Sequence, residues 1–293
     1  MIRIPAPPEE VEQLNLLTDH LIPYATSSTG FREKILGASL PGSPASSMKA
    51  LGFKRGDDGA GLRAWAAECN LMSLATLLQA EQILNFAPQG VARGAFEADG
   101  WALWALGPGS TPKERAGRWL TDRLHTAESY RRFRAADAHR LASVDEISKQ
   151  ANRLRLKVIE EQKKGGGRKR VVAFESRRPS TSDLLAQLIP EIGKKSEIEI
   201  GRLLYHYLSS YSHGELWAVL SGAKKIGPAS PGVAHTLLPM RMDTLLLVIR
   251  AVLQLHDHML AAYATFEGID PTERPDVTFL MPKAGSLFGG QPI

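Results

Sequence analysis

Residues 61–86 read GLRAWAAECNLMSLATLLQAEQILNF, and this stretch decides the fold class. Trp65, Cys69, Met72, Thr76, Gln79, Ile83 and Phe86 recur in steps of four and three, the spacing of one helical face. Leu71, Leu74 and Leu78 widen the stripe, which predicts a helix buried over much of its circumference, with Cys69 as a small buried hydrophobe. Phe86-Ala87-Pro88 breaks it. A second helix is expected from about Gln89 to Leu106, carrying Val91, Phe96, Trp101 and Trp104 and ending at Gly107-Pro108-Gly109.

Toward the C-terminus the same grammar repeats. Thr111-Pro112-Lys113-Glu114 combines an N-cap, a proline at the first helical position and a capping-box acid, so an Arg-rich helix should run to about His139. Ser143-Val144-Asp145-Glu146 starts another, with Ile147, Ala151, Leu154 and Val158 at helical spacing up to Gly165-Gly166-Gly167. Val171 to Phe174 reads as a short strand. Ser196 with Glu199 caps a helix from about Glu197 to Leu220, and Pro239 to Phe266 forms the longest helix, stopped by Gly268. Toward the N-terminus, Pro7-Pro8-Glu9-Glu10 opens a helix with Val11, Leu14, Leu17 and Leu21 on one face, before loop-forming Gly, Pro and Ser clusters between Gly37 and Ser47. The expected architecture is all-α: an irregular N-terminal arm over 1–60, a multi-helix bundle over 61–268 with a basic loop insertion at 163–180, and an irregular tail over 269–293.

Composition narrows the class without naming a function. The 293 residues are 43% hydrophobic and 23% charged, which excludes collagen-like and wholly disordered chains. A single cysteine excludes an intrachain disulfide. The longest aliphatic run, Leu245 to Ile249, is far shorter than the ~20 apolar residues of a membrane span. With no leader pattern at Met1-Ile2-Arg3-Ile4-Pro5, a cytoplasmic location and no membrane partner are expected; a homo-oligomer stays open. The net charge of +5 is local: Lys163, Lys164, Arg168, Lys169, Arg170, Arg177 and Arg178 against Glu175 give that segment +6, leaving the remaining chain at −1. These seven side chains are the candidate contacts to RNA or DNA, although the triple glycine among them equally suits a solvated linker.

Two helices place polar groups where core is expected. Arg93, Glu97 and Trp101 share a face of a helix that is otherwise small and apolar, so the two charges need partners. Tyr205, Ser209 and His213 form an i, i+4, i+8 row. Together, Arg93, Glu97, Tyr205, Ser209 and His213 are expected to form either a structural polar core or a small-ligand pocket.

The order Ala92-Arg93-Gly94-Ala95-Phe96-Glu97, then the Trp pair, then Glu114, Arg115 and Arg118, then Tyr205 to His213, resembles a group of all-helical proteins of high-GC bacteria with no established activity. More remotely it is similar to HEPN bundles, whose nuclease members use an Arg and a His separated by a few residues. Arg118 with His125, Arg134 with His139 and Arg250 with His256 carry such spacing here. The resemblance implies that Arg250 and His256, late in the bundle, would be the catalytic pair of a metal-independent ribonuclease of a toxin or phage-defence system. The His would move the 2′-hydroxyl proton and the Arg would hold the phosphorane charge.

No metal or cofactor is expected. On a helix, His256 and His258 point about 200° apart, and Asp122 with His125 finds no second pair of that kind. No phosphate-cradling glycine loop and no Gly-x-Ser-x-Gly elbow occurs. The sequence therefore leads to a helical binding or interaction module, in contact with nucleic acid through its basic loop, with the ribonuclease and the small-ligand protein as alternatives.

Overall fold

The computed structural model describes residues 8–54, 59–79, 87–133, 144–162, 169–192, 198–212, 224–225, 236–237 and 242–277. It is a helical bundle: α1 (Pro8–Ile35), α2 (Pro44–Ala50), α3 (Ala60–Gln79), α4 (Ala87–Leu106), α5 (Pro112–Phe133), α6 (Val144–Arg153), α7 (Thr181–Ile192), α8 (Ile198–Ser212) and α9 (Met242–Glu267). Strands β1 (Val158–Gln162) and β2 (Lys169–Phe174) form an antiparallel hairpin with a register shift at Ile159/Glu160, and β3 (Lys224–Lys225) pairs with β4 (Thr236–Leu237). Ile83, Phe86, Ser143, Gly165 to Gly167 and Ser196 lie outside the described residues. Among those described, no helix is long and apolar enough to cross a membrane.

α4 is the central helix, packed by α3, α9, α8, α7 and α5. That is why its sequence is small and apolar on nearly all sides. A Cβ on Gly100 would stand 2.7 Å from Leu185 Cδ2 of α7, and one on Gly94 would stand 2.8 Å from Asn70 Oδ1 of α3. The end of α4 is closed by side chains of α5. Arg115 Nε donates to Leu106 O at 2.6 Å, Trp119 Nε1 to Ala105 O at 2.7 Å and Arg118 Nη1 to Trp104 O at 3.2 Å. The last carbonyls of a helix lack intrahelical donors, and here the Arg-rich helix supplies them. α5 itself starts with the expected capping box: Thr111 N–H donates to Glu114 Oε2 at 2.8 Å and Glu114 N–H to Thr111 Oγ1 at 3.3 Å.

Three expectations change. First, α3 turns its alanine-and-leucine face inward, with Ala64, Ala67, Leu71, Leu74 and Leu78 buried, while Trp65 is 54% exposed and Cys69 is exposed. At 100° per residue, positions 65 and 69 fall on the side of the helix opposite this buried face. Second, α6 stops at Arg153 rather than continuing past Val158. Arg155 takes φ 51°, its N–H bonds Asn152 O, and Leu156 N–H bonds Ala151 O, a Schellman ending that sends Val158 and Ile159 into β1. The strand expected at Val171–Phe174 is the end of β2, laid on α5 through Phe174 N–H to Thr121 Oγ1 at 2.8 Å. Third, the N-terminal region contributes a long helix to the bundle: Leu17, Leu21, Tyr24, Ala25 and Ile35 of α1 are buried, and α1 packs on α3 and α9.

Candidate functional site

The expected polar stripe is assembled in part. Arg93 Nε donates to Glu97 Oε1 at 2.7 Å, and the Arg93 guanidinium lies 5.6 Å from the ring centre of Tyr205 on α8. Both charged side chains are half-buried. Ser209 is partly buried one turn beyond Tyr205. His213 lies outside the described residues.

One turn further along α4, Trp101 begins a second cluster. Arg178 stacks on its ring at 3.7 Å, lies 3.4 Å from Asp122 Oδ1 through Nη2, and places Nη1 3.1 Å from His125 Nδ1. Arg63 of α3 pairs with the other oxygen of Asp122. Burial, together with the neighbouring Arg63, lowers the Arg178 pKa against the opposing pull of Asp122. Asp122 and His125, whose i, i+3 spacing is that of a metal-binding pair, are arranged around guanidinium groups. Among the described residues no group of three or more His, Cys, Asp or Glu is placed to hold a metal ion.

Of the other basic candidates, Arg177 pairs with Glu161 across the hairpin at 2.7 Å. Lys169 and Arg170 stand in β2, opposite Gln162 and Glu161. Lys163, Lys164 and Arg168 lie outside the described residues, as do Arg134 and His139.

Inside the bundle are two ionic pairs that sequence reading missed. His256 Nδ1 lies 3.0 Å from Asp99 Oδ1 and 3.2 Å from Oδ2, and both side chains are 0% exposed. Tyr24 meets the imidazole edge-on with ring centres 6.0 Å apart, and the buried His256 Nε2 has no hydrogen-bond partner among the described residues. Burial pulls the His256 pKa down, but the charge and hydrogen bond of Asp99 outweigh it and the net shift is upward. Burial raises the Asp99 pKa against the opposing effect of His256. Arg250, a turn and a half earlier on α9, is partly exposed, its pKa lowered by burial. An imidazole with no exposed surface meets no ribose hydroxyl unless the bundle opens, so in this structure Arg250 and His256 do not converge on an accessible cleft.

The second pair is Arg32 with Glu68. Arg32 Nε donates to both carboxylate oxygens at 2.9 and 3.0 Å, and Thr29 Oγ1 donates to Oε2 at 2.9 Å. Burial raises the Glu68 pKa, opposed by Arg32 and Thr29. The local signal is an acid set among small residues of a helix packed on many sides: Glu68, the one acid of α3, between Ala67 and Cys69, and Asp99 between Ala98 and Gly100 of α4. Their partners are distant in sequence, so nothing local names them.

Arg32 also lines a cavity of about 690 Å³ formed by the end of α1, α2 with the turn after it, the start of α3, α5 and the end of α9. Its walls are aromatic and aliphatic. Phe53 packs edge-on against Trp119 at 5.2 Å, and Trp119 against Phe266 at 6.0 Å. Met48 and Leu36 complete the wall, with Trp65 beside them. Arg115 braces Phe266 from 5.4 Å. The charged groups in the wall are Arg32, Lys49, Lys54 and Glu267; Arg32 and Glu267 are buried, and Glu267 accepts the Ser39 N–H at 2.8 Å. This cavity shares no residue with the Arg93–Glu97 stripe, where a pocket was expected. Trp65, read from sequence as core, instead lines it while remaining half-exposed.

The chain matches no family model, no curated protein and no solved structure.

Proposed function

We propose that this protein is a helical binding module that holds a small, mainly apolar molecule in the cavity between α1, α2, α3, α5 and α9. The observation that carries this reading is the cavity itself. Its volume of about 690 Å³ lies inside the range of roughly 300–1,000 Å³ usual for small-molecule sites. It joins an apolar lining to a small number of convergent polar groups, the composition that such sites share. The aromatic walls are fixed by edge-on contacts between Phe53, Trp119 and Phe266, and by Arg115 beneath Phe266.

The test uses dodecan-1-ol as a neutral apolar probe, with intrinsic tryptophan fluorescence as readout because Trp65 and Trp119 line the cavity. Saturable binding to the wild type is expected. It should be lost in Ala45→Phe, which fills the space from the α2 wall. Absence of saturable binding, or binding indifferent to a folded Ala45→Phe variant, removes the reading.

A second reading, contact with RNA or DNA, is supported by Arg178. This residue is braced on Trp101 beside Arg63, at the foot of the basic hairpin. Two guanidinium groups share one carboxylate there, so the cluster retains positive charge for a phosphate.

A further inference from the structure

We infer that the molecule held in the cavity is an apolar acid whose anionic head group is bound by the outer edge of the Arg32 guanidinium. This inference rests on the cavity reading and names its ligand class. Arg32 is 6% exposed, so its charge is almost fully withdrawn from solvent. One edge of the guanidinium is spent: Nε donates to both oxygens of Glu68. The Nη groups are not matched in the same way. Nη2 lies 4.0 Å from Glu33 Oε1, beyond hydrogen-bond distance. Nη1 has no hydrogen-bond partner among the described residues, and the residue lines the cavity.

Stability alone does not account for this arrangement. A buried ion pair is replaceable by apolar residues at little or no cost, because desolvation offsets most of the attraction. A guanidinium held along one edge by Glu68, itself steadied by Thr29, is an oriented two-pronged donor. Its planar fork matches a carboxylate in bidentate geometry, and its orientation is fixed before a ligand arrives. The charge of the wall agrees with an anion. With the charge of Arg32 matched by Glu68, the exposed Lys49 and Lys54 on the lining still outnumber Glu267, whose carboxylate accepts the Ser39 N–H. Phe53, Trp119 and Phe266 would then pack along the apolar body of the acid.

The experiment compares dodecanoate with dodecan-1-ol on the full-length protein, by isothermal titration and tryptophan fluorescence at low ionic strength. The wild type should bind the acid at least tenfold more tightly than the alcohol. The double variant Arg32→Met/Glu68→Met removes both charges together, so no buried charge is left alone. It should bind the two probes equally, the tenfold preference for the acid being lost. Equal affinity for acid and alcohol in the wild type overturns the inference while leaving the cavity reading standing. A tenfold preference that persists in the folded double variant also overturns it. Failure of both probes to bind the wild type overturns the cavity reading itself. Should the double variant not fold, the wild-type comparison of acid with alcohol decides alone.

Discussion

Replacing Asp99 by Ala should be among the most damaging single changes in the bundle. Asp99 and His256 are both fully buried, and Asp99 is the partner of Nδ1 while Nε2 has none among the described residues. The substitution therefore leaves an imidazole with neither nitrogen satisfied, enclosed on one side by Tyr24. Breaking one side of a buried charge pair costs about 3–5 kcal/mol. In a domain of this size that loss corresponds to a fall in Tm of roughly 10 °C.

Urea denaturation followed by circular dichroism measures it. The double variant Asp99→Ala/His256→Leu, which removes the orphan and nearly conserves volume, should recover most of the loss. The pH dependence supplies an independent sign. In the wild type the folded pKa of His256 lies above its ordinary value of 6.5. Its stabilising contribution is then complete below the unfolded pKa and fades as pH rises through the folded one. In Asp99→Asn the raising charge of Asp99 is gone, and burial, the largest single influence on this imidazole, is opposed only by Glu68 and Asp257 and prevails. Stability should then fall as pH drops below about 6.5, the opposite slope. A loss below about 1 kcal/mol in Asp99→Ala, or the same slope in both proteins, would refute the account of this pair as charge-coupled.

Two further outcomes follow from the packing and the charge pattern. Gly117→Ala should destabilise by about 1–3 kcal/mol, the range for overpacking. A Cβ there meets Glu175 Cβ at 2.8 Å and the Phe174 carbonyl at 2.9 Å, so β2 must lift from α5; chemical denaturation unchanged from wild type would contradict that contact. Neutralising Arg168, Lys169 and Arg170 together should lower the salt dependence of RNA retention by up to about three counterions if the hairpin binds nucleic acid. An unchanged slope in filter binding would exclude the hairpin as the contact.

How far the sequence could be read differs from element to element. The capping box at Thr111 and Glu114 is made by residues three apart, so its signal is complete in the text and the structure reproduces it. The strand at Val171–Phe174 was visible in its β-branched run, whereas its partner β1 was not, because Val158 also fitted a helical spacing. The end of α6 depends on Arg155 adopting a left-handed conformation that its side chain does not advertise. The Arg93–Glu97 contact lies within one helix and was legible; the neighbourhood of Tyr205 required α8 to pack on α4.

What the sequence determined by itself is the all-helical class and most helix positions. These rest on hydrogen bonds and side-chain contacts between residues a turn apart, which any reader of spacing can follow. Which face of each helix turns inward is another matter. On α3 the face bearing Ala64, Ala67, Leu71, Leu74 and Leu78 turns inward, and Trp65 on the opposite side is left half-exposed. The cavity draws its wall from both ends of the chain, from Arg32 to Glu267, and the Asp99–His256 pair joins positions 157 residues apart. Such meetings have no local trace, because they depend on how several helices fill one volume together, and only the tertiary structure decides that.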